Sequence, residues 1–277
     1  QSMNVFTANY PAEYGRKLGG VIELATARDS RPGGHGRMLF ERGSFGMLQG
    51  YASGQYGAGR TIVGASAQGA RTDRFLDPPT AANFANTGSE AGAGARIERD
   101  LSDRDRLRLA VHSKRVGFLV PNEQEQETAG QRQDRRNRET MGQLAYQRVF
   151  SPRWIGQARA MVRDLGAEFW SNPLATPILA GQDRGFREGY TGGTLSFHHG
   201  AHEVKGGFEA IFTSVYERFG YQITDPAAFD DDVPLRFQFA GRRQGREQAA
   251  FVQDLIRAGR WTFSAGLRWD RYRLLVT

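Results

Sequence analysis

Three of the five histidines lie close together in the sequence, and imidazole nitrogens are common metal ligands. These histidines are His198, His199 and His202. Neighbouring residues of a strand point to opposite faces, so His198 and His199 are poorly placed to share one ion. The acidic run Asp230–Asp232 offers carboxylates, which calcium prefers, but it lacks the glycine-spaced pattern of a calcium loop. We therefore predict no metal site, and a solvated turn at the histidines.

Other residues with catalytic chemistry are missing or badly spaced. The chain has no cysteine, which excludes thiolate zinc sites, iron–sulfur clusters and a cysteine nucleophile. The motifs G-x-S-x-G, H-E-x-x-H and G-x-x-x-x-G-K-[ST] do not occur, and Gly92 and Gly94 lack the third glycine of a dinucleotide fingerprint. We therefore predict no catalytic residue, no cofactor-binding residue and no enzymatic activity.

The chain is basic, with 37 lysines and arginines against 30 acidic residues and a net charge of +7. Such a balance usually indicates an anionic partner or surface. The basic residues, mostly arginines, are scattered along the chain and form no dense tract. This distribution argues against nucleic-acid binding.

Alternation of apolar and polar residues organises the chain. The clearest segment places Trp261, Phe263, Ala265, Leu267 and Trp269 on one face. Leu107–Val111 and Trp154–Val162 alternate in the same way. A repeat of two residues is typical of a strand with one apolar face.

The chain contains eleven such segments, and the connections between them alternate between short and long. We predict strands near 36–44, 47–56, 60–72, 89–100, 105–116, 139–150, 153–168, 187–199, 202–218, 245–257 and 260–273. Long connections are predicted at 73–88, 117–138, 169–186 and 219–244. No run of 18 apolar residues exists, so a membrane-spanning helix is excluded. The pattern predicts an all-β fold, an antiparallel up-and-down transmembrane β-barrel with tight turns at one rim and loops at the other.

Aromatic residues are concentrated near both ends of the predicted strands. Phe150, Trp154 and Trp261 flank tight turns, whereas Phe169, Phe219 and Tyr221 adjoin long connections. Because aromatic rings prefer the membrane–water interfaces, both groups are predicted to face the lipid as belts.

The N-terminal segment differs from the rest. Residues 9–27 read NYPAEYGRKLGGVIELATA, and a Gly/Pro-rich link follows. The segment resembles the end of the plug domain of TonB-dependent outer-membrane receptors, of the type with an N-terminal carboxypeptidase-regulatory-like domain. The plug-end motif is carried by Tyr14, Gly15, Gly19 and Gly20. Glu23 departs from the asparagine usual in the family, which leaves the strand plausible. Residues 249–254 and 266–270 are likewise similar to a strand pair of such barrels.

The resemblance implies a barrel of 22 strands around a plug, of which eleven are counted here. We therefore expect a fragment: the C-terminal end of the plug domain at 1–28, a link at 29–35 and the first half of the barrel at 36–277. The resemblance also implies active uptake of a scarce nutrient into the periplasm of a Gram-negative bacterium. Siderophore, vitamin, oligosaccharide and peptide remain open. The implied partner is the inner-membrane TonB complex, reached through an N-terminal part missing from the chain, and a monomer in the outer membrane is expected.

Within that framework two groups of arginines receive candidate roles. The arginines opposite the apolar residues are predicted to face the lumen, where they hold the plug or line the substrate path; they are Arg108, Arg159, Arg163 and Arg268. The second group lies at the rims and could meet an anionic ligand or lipopolysaccharide phosphates, with plain solvation as the simpler explanation; it comprises Arg71, Arg74, Arg184 and Arg218.

Two alternative functions remain open. A passive outer-membrane porin or adhesin barrel accounts for the alternation but gives no reason for residues 9–27. A soluble all-β glycan-binding domain is the weaker alternative, because it would bury one face of the strands in a dry core.

Overall fold

A computed structural model describes residues 2–6, 10–15, 20–25 and 31–275. The described residues form two separate antiparallel sheets. The smaller pairs β1 (Ser2–Phe6) with β2 (Val21–Ala25), in a register that places Phe6 opposite Val21. No helix of the described ranges is long and apolar enough to cross a lipid bilayer.

The larger sheet contains eleven strands in sequence order, each paired with the next along the chain. They are β3 (Gly33–Arg42), β4 (Leu48–Ala58), β5 (Thr61–Thr72), β6 (Gly88–Asp100), β7 (Asp105–Leu119), β8 (Gln133–Ser151), β9 (Trp154–Ser171), β10 (Ile178–His199), β11 (His202–Ile223), β12 (Arg236–Ala258) and β13 (Trp261–Leu275). A five-residue helix, α1 (Gln124–Thr128), lies between β7 and β8. The predicted antiparallel up-and-down order is confirmed.

The alternation of short and long connections is also present. Three tight turns open with a glycine in the left-handed region: Gly59 at φ 54°, Gly200 at 59° and Gly259 at 59°. Such φ values are strained for residues with a Cβ, which is why glycine serves at all three. We call this end of the sheet the tight-turn rim and the other end the long-loop rim.

Three strands extend further toward the long-loop rim than predicted. β8 begins at Gln133 rather than 139, β10 at Ile178 rather than 187, and β12 at Arg236 rather than 245. The apolar alternation fades in these extensions, while the backbone pairing continues. Alternation of apolar residues marks only the part of a strand that meets lipid. The backbone hydrogen bonds between strands can continue beyond that part, so the alternation does not show where a strand ends.

The start of the larger sheet also differs slightly from the predicted segmentation. β3 begins at Gly33, inside the stretch assigned to the link. Residues 29 and 30 of that link lie outside the described residues. The proposed division into plug end, link and barrel therefore stays a prediction.

The sheet has one apolar face that is exposed rather than packed. Leu109, Val162 and Leu267 lie on this face and retain 43%, 67% and 76% of their accessible surface. Among the described residues, the buried hydrophobic side chains are few: Val21, Ile62, Ala175, Ile223, Ala249 and Phe251. A soluble β-sandwich needs an interdigitated core between two sheets, and the described residues supply none. This arrangement fits strands whose apolar face meets hydrocarbon.

The two long connections that follow β5 and β7 are held by buried amides. Asn86 accepts hydrogen bonds from the backbone N–H groups of Phe75 (3.1 Å) and Leu76 (2.8 Å). The Asn122 amide donates to the Gln131 carbonyl at 2.7 Å. The rings of Phe75 and Phe118 stack at 4.8 Å, which fixes the first connection to the end of β7. These hydrogen bonds and ring contacts therefore give the two loops a defined conformation.

The face assignment predicts a large difference between two neighbouring positions of β8. Leu144 lies on the exposed apolar face, so Leu144→Arg should destabilise the full-length protein by about 2–4 kcal/mol if the site is near the bilayer midplane. Equilibrium urea unfolding of the protein refolded into lipid vesicles measures this loss.

Gln143→Arg is the matched control, because Gln143 is exposed on the opposite face of the same strand. Its cost should stay within about 0.5 kcal/mol, as for an ordinary surface substitution. Equal losses at the two positions would show that the faces are wrongly assigned.

Candidate functional site

The strand register places the four predicted lumen arginines on one face of the sheet. Residues that pair directly in an antiparallel ladder point to the same side. One such row crosses the sheet through Arg268, Phe251, Gly207, Thr194, Gln157, Gln147 and Arg106. Arg159 and Arg163 are an even number of residues from Gln157 on β9, and Arg108 is two residues from Arg106 on β7. Residues with such spacing have the same parity and point to the same side of the sheet. We call this the inner face and the apolar one the outer face.

Arg268 is bound to the N-terminal segment. Its Nη1 donates hydrogen bonds to the carbonyl oxygens of Ala12 (3.3 Å) and Glu13 (2.8 Å). The side chain is only 13% exposed. Residues 10–15, which we call the tail, therefore lie against the inner face of β13.

Two carboxylates neutralise the Arg268 guanidinium. Glu209 accepts from Nη2 at 2.9 Å, and Asp270 accepts from Nε at 3.0 Å. The Tyr190 hydroxyl in turn lies 3.2 Å from Glu209 and donates to it. A buried cation needs such partners, because an unpaired one would be strongly destabilising. The two carboxylates bind Nε and Nη2 and so fix the position of the guanidinium, while Nη1 remains available to donate to the carbonyl oxygens of the tail.

Glu13 provides a second attachment of the tail. Its carboxylate forms an ion pair and hydrogen bond with the Lys205 ammonium on β11. Its backbone N–H donates to Gln253 Oε1 on β12 at 3.2 Å. Three neighbouring strands, β11, β12 and β13, thus each contribute a polar contact to the same two residues, Ala12 and Glu13.

Small residues allow the tail to approach the wall. A Cβ at Gly15 would lie 2.0 Å from Arg268 Nε, and one at Gly266 would lie 2.8 Å from the Ala12 Cβ. Gly20, at φ +141°, would bring a Cβ within 3.2 Å of the Phe6 carbonyl. Gly19 of the predicted plug-end motif lies outside the described residues.

Tyr14 fills the space between the tail and the small sheet. Its ring packs against Phe6 with a centroid distance of 5.6 Å. Burial, followed by the negative charges of Glu13 and Glu23, raises the pKa of Tyr14 to about 12. The phenol therefore stays neutral and donates to Glu23, the residue at which the sequence departs from the family pattern.

The other three lumen arginines are engaged with the wall. Arg163 pairs with Glu139 at 2.8 Å and lies over the Phe186 ring, and Arg108 pairs with Glu98 at 3.3 Å. Arg159 donates to Gln157 at 2.9 Å. In the described part of the chain, a direct hydrogen bond from this group to the tail is made by Arg268 alone.

The long-loop half of the inner face carries a cavity of about 810 Å³. The basic side chains of its lining that point inward by strand register are Lys114, Arg135, Arg184 and Arg243, and the acidic ones are Glu139 and Glu217, whereas Arg138 and Arg242 of the same lining point outward. Phe186 and Phe239 add apolar surface. Sequence analysis missed this cavity because three of the strands that line it were assigned there to loops.

The prediction that Phe169, Phe219 and Tyr221 face the lipid at the long-loop rim is wrong, whereas Trp170 of the same rim does lie on the outer face. The register places Phe169, Phe219 and Tyr221 on the inner face, because they share the parity of Arg163 and Lys205. The Tyr221 ring stacks on that of Phe237 at 5.7 Å, beyond the apolar belt. At the tight-turn rim, by contrast, Trp154 and Phe197 pack at 4.4 Å on the outer face.

The rim arginines are not brought together. Arg71 and Arg218 lie on the outer face, where Arg218 is 3.4 Å from Asp183. Arg184 lines the inner cavity, and Arg74 lies over the Phe45 ring at the loop after β5. They therefore do not form one site.

The histidines and acidic residues are dispersed as well. His202 Nδ1 lies 2.6 Å from Asp254 Oδ2, while His198 and His199 end β10 on opposite faces. Asp230–Asp232 lie in the loop before β12. Within the described ranges, no group of three or more His, Asp or Glu side chains is arranged to hold a metal ion.

Comparisons with known proteins agree with this architecture. The family described as "TonB dependent receptor-like, beta-barrel" matches residues 79–276. No curated protein matches the sequence. The ferric citrate transporter FecA in its unliganded form superposes with a TM-score of 0.74 at 14% identity, over 98% of this chain and 42% of that one.

Two further solved structures have the same fold. The copper transporter OprC gives a TM-score of 0.74 at 13% identity, over 98% of this chain and 42% of that one. The ferripyoverdine receptor of Pseudomonas aeruginosa bound to ferripyoverdine gives 0.68 at 12%, over 94% and 40%. The chain thus spans about two fifths of the length of these structures. It belongs to the TonB-dependent receptor-like β-barrel family, and its eleven-stranded sheet is a portion of an outer-membrane barrel.

Proposed function

We propose that the full-length protein actively imports a scarce nutrient across the outer membrane. The observation that carries the proposal is the tail bound to the inner face by Arg268, Lys205 and Gln253. A passive porin has no use for an N-terminal segment anchored inside its wall. A plug that must stay seated at rest and move during transport requires such an anchor, made of polar contacts that can break and re-form.

In this proposal the chain supplies the plug's exit segment and half of the wall. The inner-membrane TonB complex acts on a segment outside this chain and pulls on the plug. The tail is the point at which the moving part joins the fixed wall. Two carbonyl hydrogen bonds, one ion pair and one amide contact are a moderate attachment, since each charged bond contributes about 1.5–3 kcal/mol.

The inner cavity at the long-loop rim is the proposed first binding surface for the substrate. Lys114, Arg135, Arg184 and Arg243 outnumber Glu139 and Glu217, and Lys114 is itself paired with Glu90 at 2.8 Å. Arginine recognises carboxylates and phosphates through paired N–H donors. An anionic nutrient, such as a metal chelate rich in carboxylates, fits this charge better than a neutral oligosaccharide.

Transport by the full-length protein should depend on TonB. Cells that carry the gene should accumulate a radiolabelled anionic iron chelate, and deletion of tonB or collapse of the proton gradient should abolish this accumulation. Uptake that persists without TonB would contradict active transport and support the porin alternative.

Weakening the tail anchor should loosen the tail without removing the barrel. In full-length Arg268→Leu, the amides of residues 12–15 should exchange hydrogen about tenfold faster or more, because two charge-assisted bonds of about 1.5–3 kcal/mol are lost. Hydrogen exchange read by mass spectrometry measures this change, and a heat-dependent gel shift verifies that the barrel has folded.

Arg163→Leu is the matched control, since Arg163 is an inner-face arginine bound to Glu139 rather than to the tail. It should leave the exchange of residues 12–15 unchanged. The anchor assignment is wrong if the two variants exchange at the same rate.

Removing cavity charge should weaken capture of an anionic substrate. The double variant Arg184→Gln with Arg243→Gln should raise the half-saturating concentration of the chelate by about tenfold or more, as expected for lost charged hydrogen bonds. Arg218→Gln, at the same rim but on the outer face, should leave it unchanged. An unaltered value in the double variant would place substrate capture elsewhere.

A further inference from the structure

The connections at the long-loop rim are bonded to one another. The described sheet has five of them, which we number first to fifth in chain order: 43–47, 73–87, 120–132, 172–177 and 224–235. Each connection is hydrogen-bonded to the next along the chain, so the links run without interruption from the first to the fifth. We call the five connections together the collar.

Backbone groups join the first three connections. The N–H of Asp73, at the start of the second connection, donates to the Phe45 carbonyl at 2.8 Å. The N–H of Asn122 donates to the Phe84 carbonyl at 3.2 Å, in an isolated bridge between the second and third connections. The Arg74 guanidinium also lies over the Phe45 ring, 5.1 Å from its centroid. These contacts fix the positions of the three connections relative to one another.

Side chains join the third, fourth and fifth connections. The Asn172 amide donates to the Gly130 carbonyl at 2.9 Å and accepts from the Arg132 N–H at 3.0 Å. The Thr224 hydroxyl donates to the Ala175 carbonyl at 2.9 Å. Asn172 and Thr224 are therefore the side chains that link these three connections.

The collar contains the most buried side chains of the described residues. Asn86, Ala175 and Asn122 are only 1%, 2% and 3% exposed. Exclusion of water strengthens the hydrogen bonds around them, and it makes the loss of either partner of a bond costly. The collar is therefore packed in a way that most of the wall is not.

The collar also closes the upper ends of strands that line the inner cavity. Strands β8 to β12 continue past the apolar belt to this rim, and the cavity lies on their inner face. Asn172 joins the end of β9 to the residue before β8, and Thr224 joins the end of β11 to the connection before β10. Because no lipid supports the strands at this height, their spacing depends on the ladder and on the collar.

The links leave little freedom for a single loop to fold over the cavity. The fourth connection spans only residues 172–177 and is bonded on both sides. In the third connection, Gln124–Thr128 form α1, whose capping box joins Glu123 and Gln126. Movement of one connection into the opening would break its bonds to its neighbours and leave buried polar groups unpaired, which is unfavourable. The links therefore oppose independent closure of single loops.

We propose that the collar opens and closes its hydrogen bonds as one body and keeps the inner cavity in a preformed shape, so that the substrate enters through a fixed opening. The part that concerns the substrate rests on the proposed function, whereas the behaviour as one body does not. A preformed site avoids the entropic cost of ordering loops around the ligand. Asn172 and Thr224 are positioning residues, since neither belongs to the described cavity lining and both act through the strands they join.

Hydrogen exchange of the full-length protein, read by mass spectrometry, tests the single body. In Asn172→Ala, the N–H groups of Phe75 and Asn122 should exchange about threefold faster or more, although Asn172 bonds to neither in the described structure. Acceleration confined to residues 128–133 and 172–177 would show that the loops open independently and would overturn the proposal. A heat-dependent gel shift verifies that the barrel has folded.

Two threonine variants provide a milder test and its matched control. Thr224→Val removes the hydroxyl that donates to Ala175, so it should also accelerate exchange in the third connection. Thr128→Val removes a bond of similar length, from the Thr128 hydroxyl to the Gln124 carbonyl at 2.8 Å, but this bond lies within α1. Its effect should stay within residues 124–130. Equal spread from the two variants would show a general loss of stability and refute the role of the links.

The uptake assay tests the preformed cavity separately. In Asn172→Ala the half-saturating concentration of the anionic iron chelate should rise about threefold or more, while the maximal rate stays at the wild-type value, because the collar acts on capture rather than on the TonB-driven step. Thr128→Val should leave both values unchanged. An unchanged half-saturating concentration in Asn172→Ala would refute the preformed cavity. Failure of the proposed transport function appears instead as uptake that does not need TonB, a result on which the exchange experiment does not depend.

Discussion

The structure depends on the pairing of every backbone polar group along strands that meet hydrocarbon. In lipid no water is available to satisfy an N–H or C=O group, so each strand must be bonded to its neighbours. The unbroken order from β3 to β13 meets this requirement for the nine strands between them, while β3 and β13 each have one edge without a partner strand among the described residues. It also explains why so few side chains are buried, because the stability of such a wall comes from the ladder and from the lipid rather than from a packed core.

The same constraint divides the side chains into two populations with different chemistry. The outer face must be apolar where it meets lipid, whereas the inner face is free to be polar because water or the plug covers it. Arg268, Glu209 and Lys205 can therefore lie on a membrane-spanning wall at little cost. The tail uses this polar interior, and its anchor is distributed over three strands so that no single bond carries it.

Much of the barrel wall could be predicted, because the alternation of apolar and polar residues depends only on residues that are close together in the sequence. A period of two residues identified all eleven strands, and parity within each strand placed Arg108, Arg159, Arg163 and Arg268 on one side. The errors lie at the long-loop rim, where lipid no longer imposes an apolar face. There the ladders extend well past the predicted ends, and aromatic residues such as Phe219 point inward instead of forming a belt.

The sequence by itself determined the all-β class, the order of the strands and the family resemblance, since each depends on neighbours in the chain. Only the tertiary structure decided which arginine meets the tail, because Ala12 and Glu13 are separated from Arg268 by more than 250 residues. It likewise decided which side chains line the inner cavity, since a register shift of one residue would turn the lining side chains of a strand outward. Contacts between distant strands depend on register and closure, which no local pattern encodes.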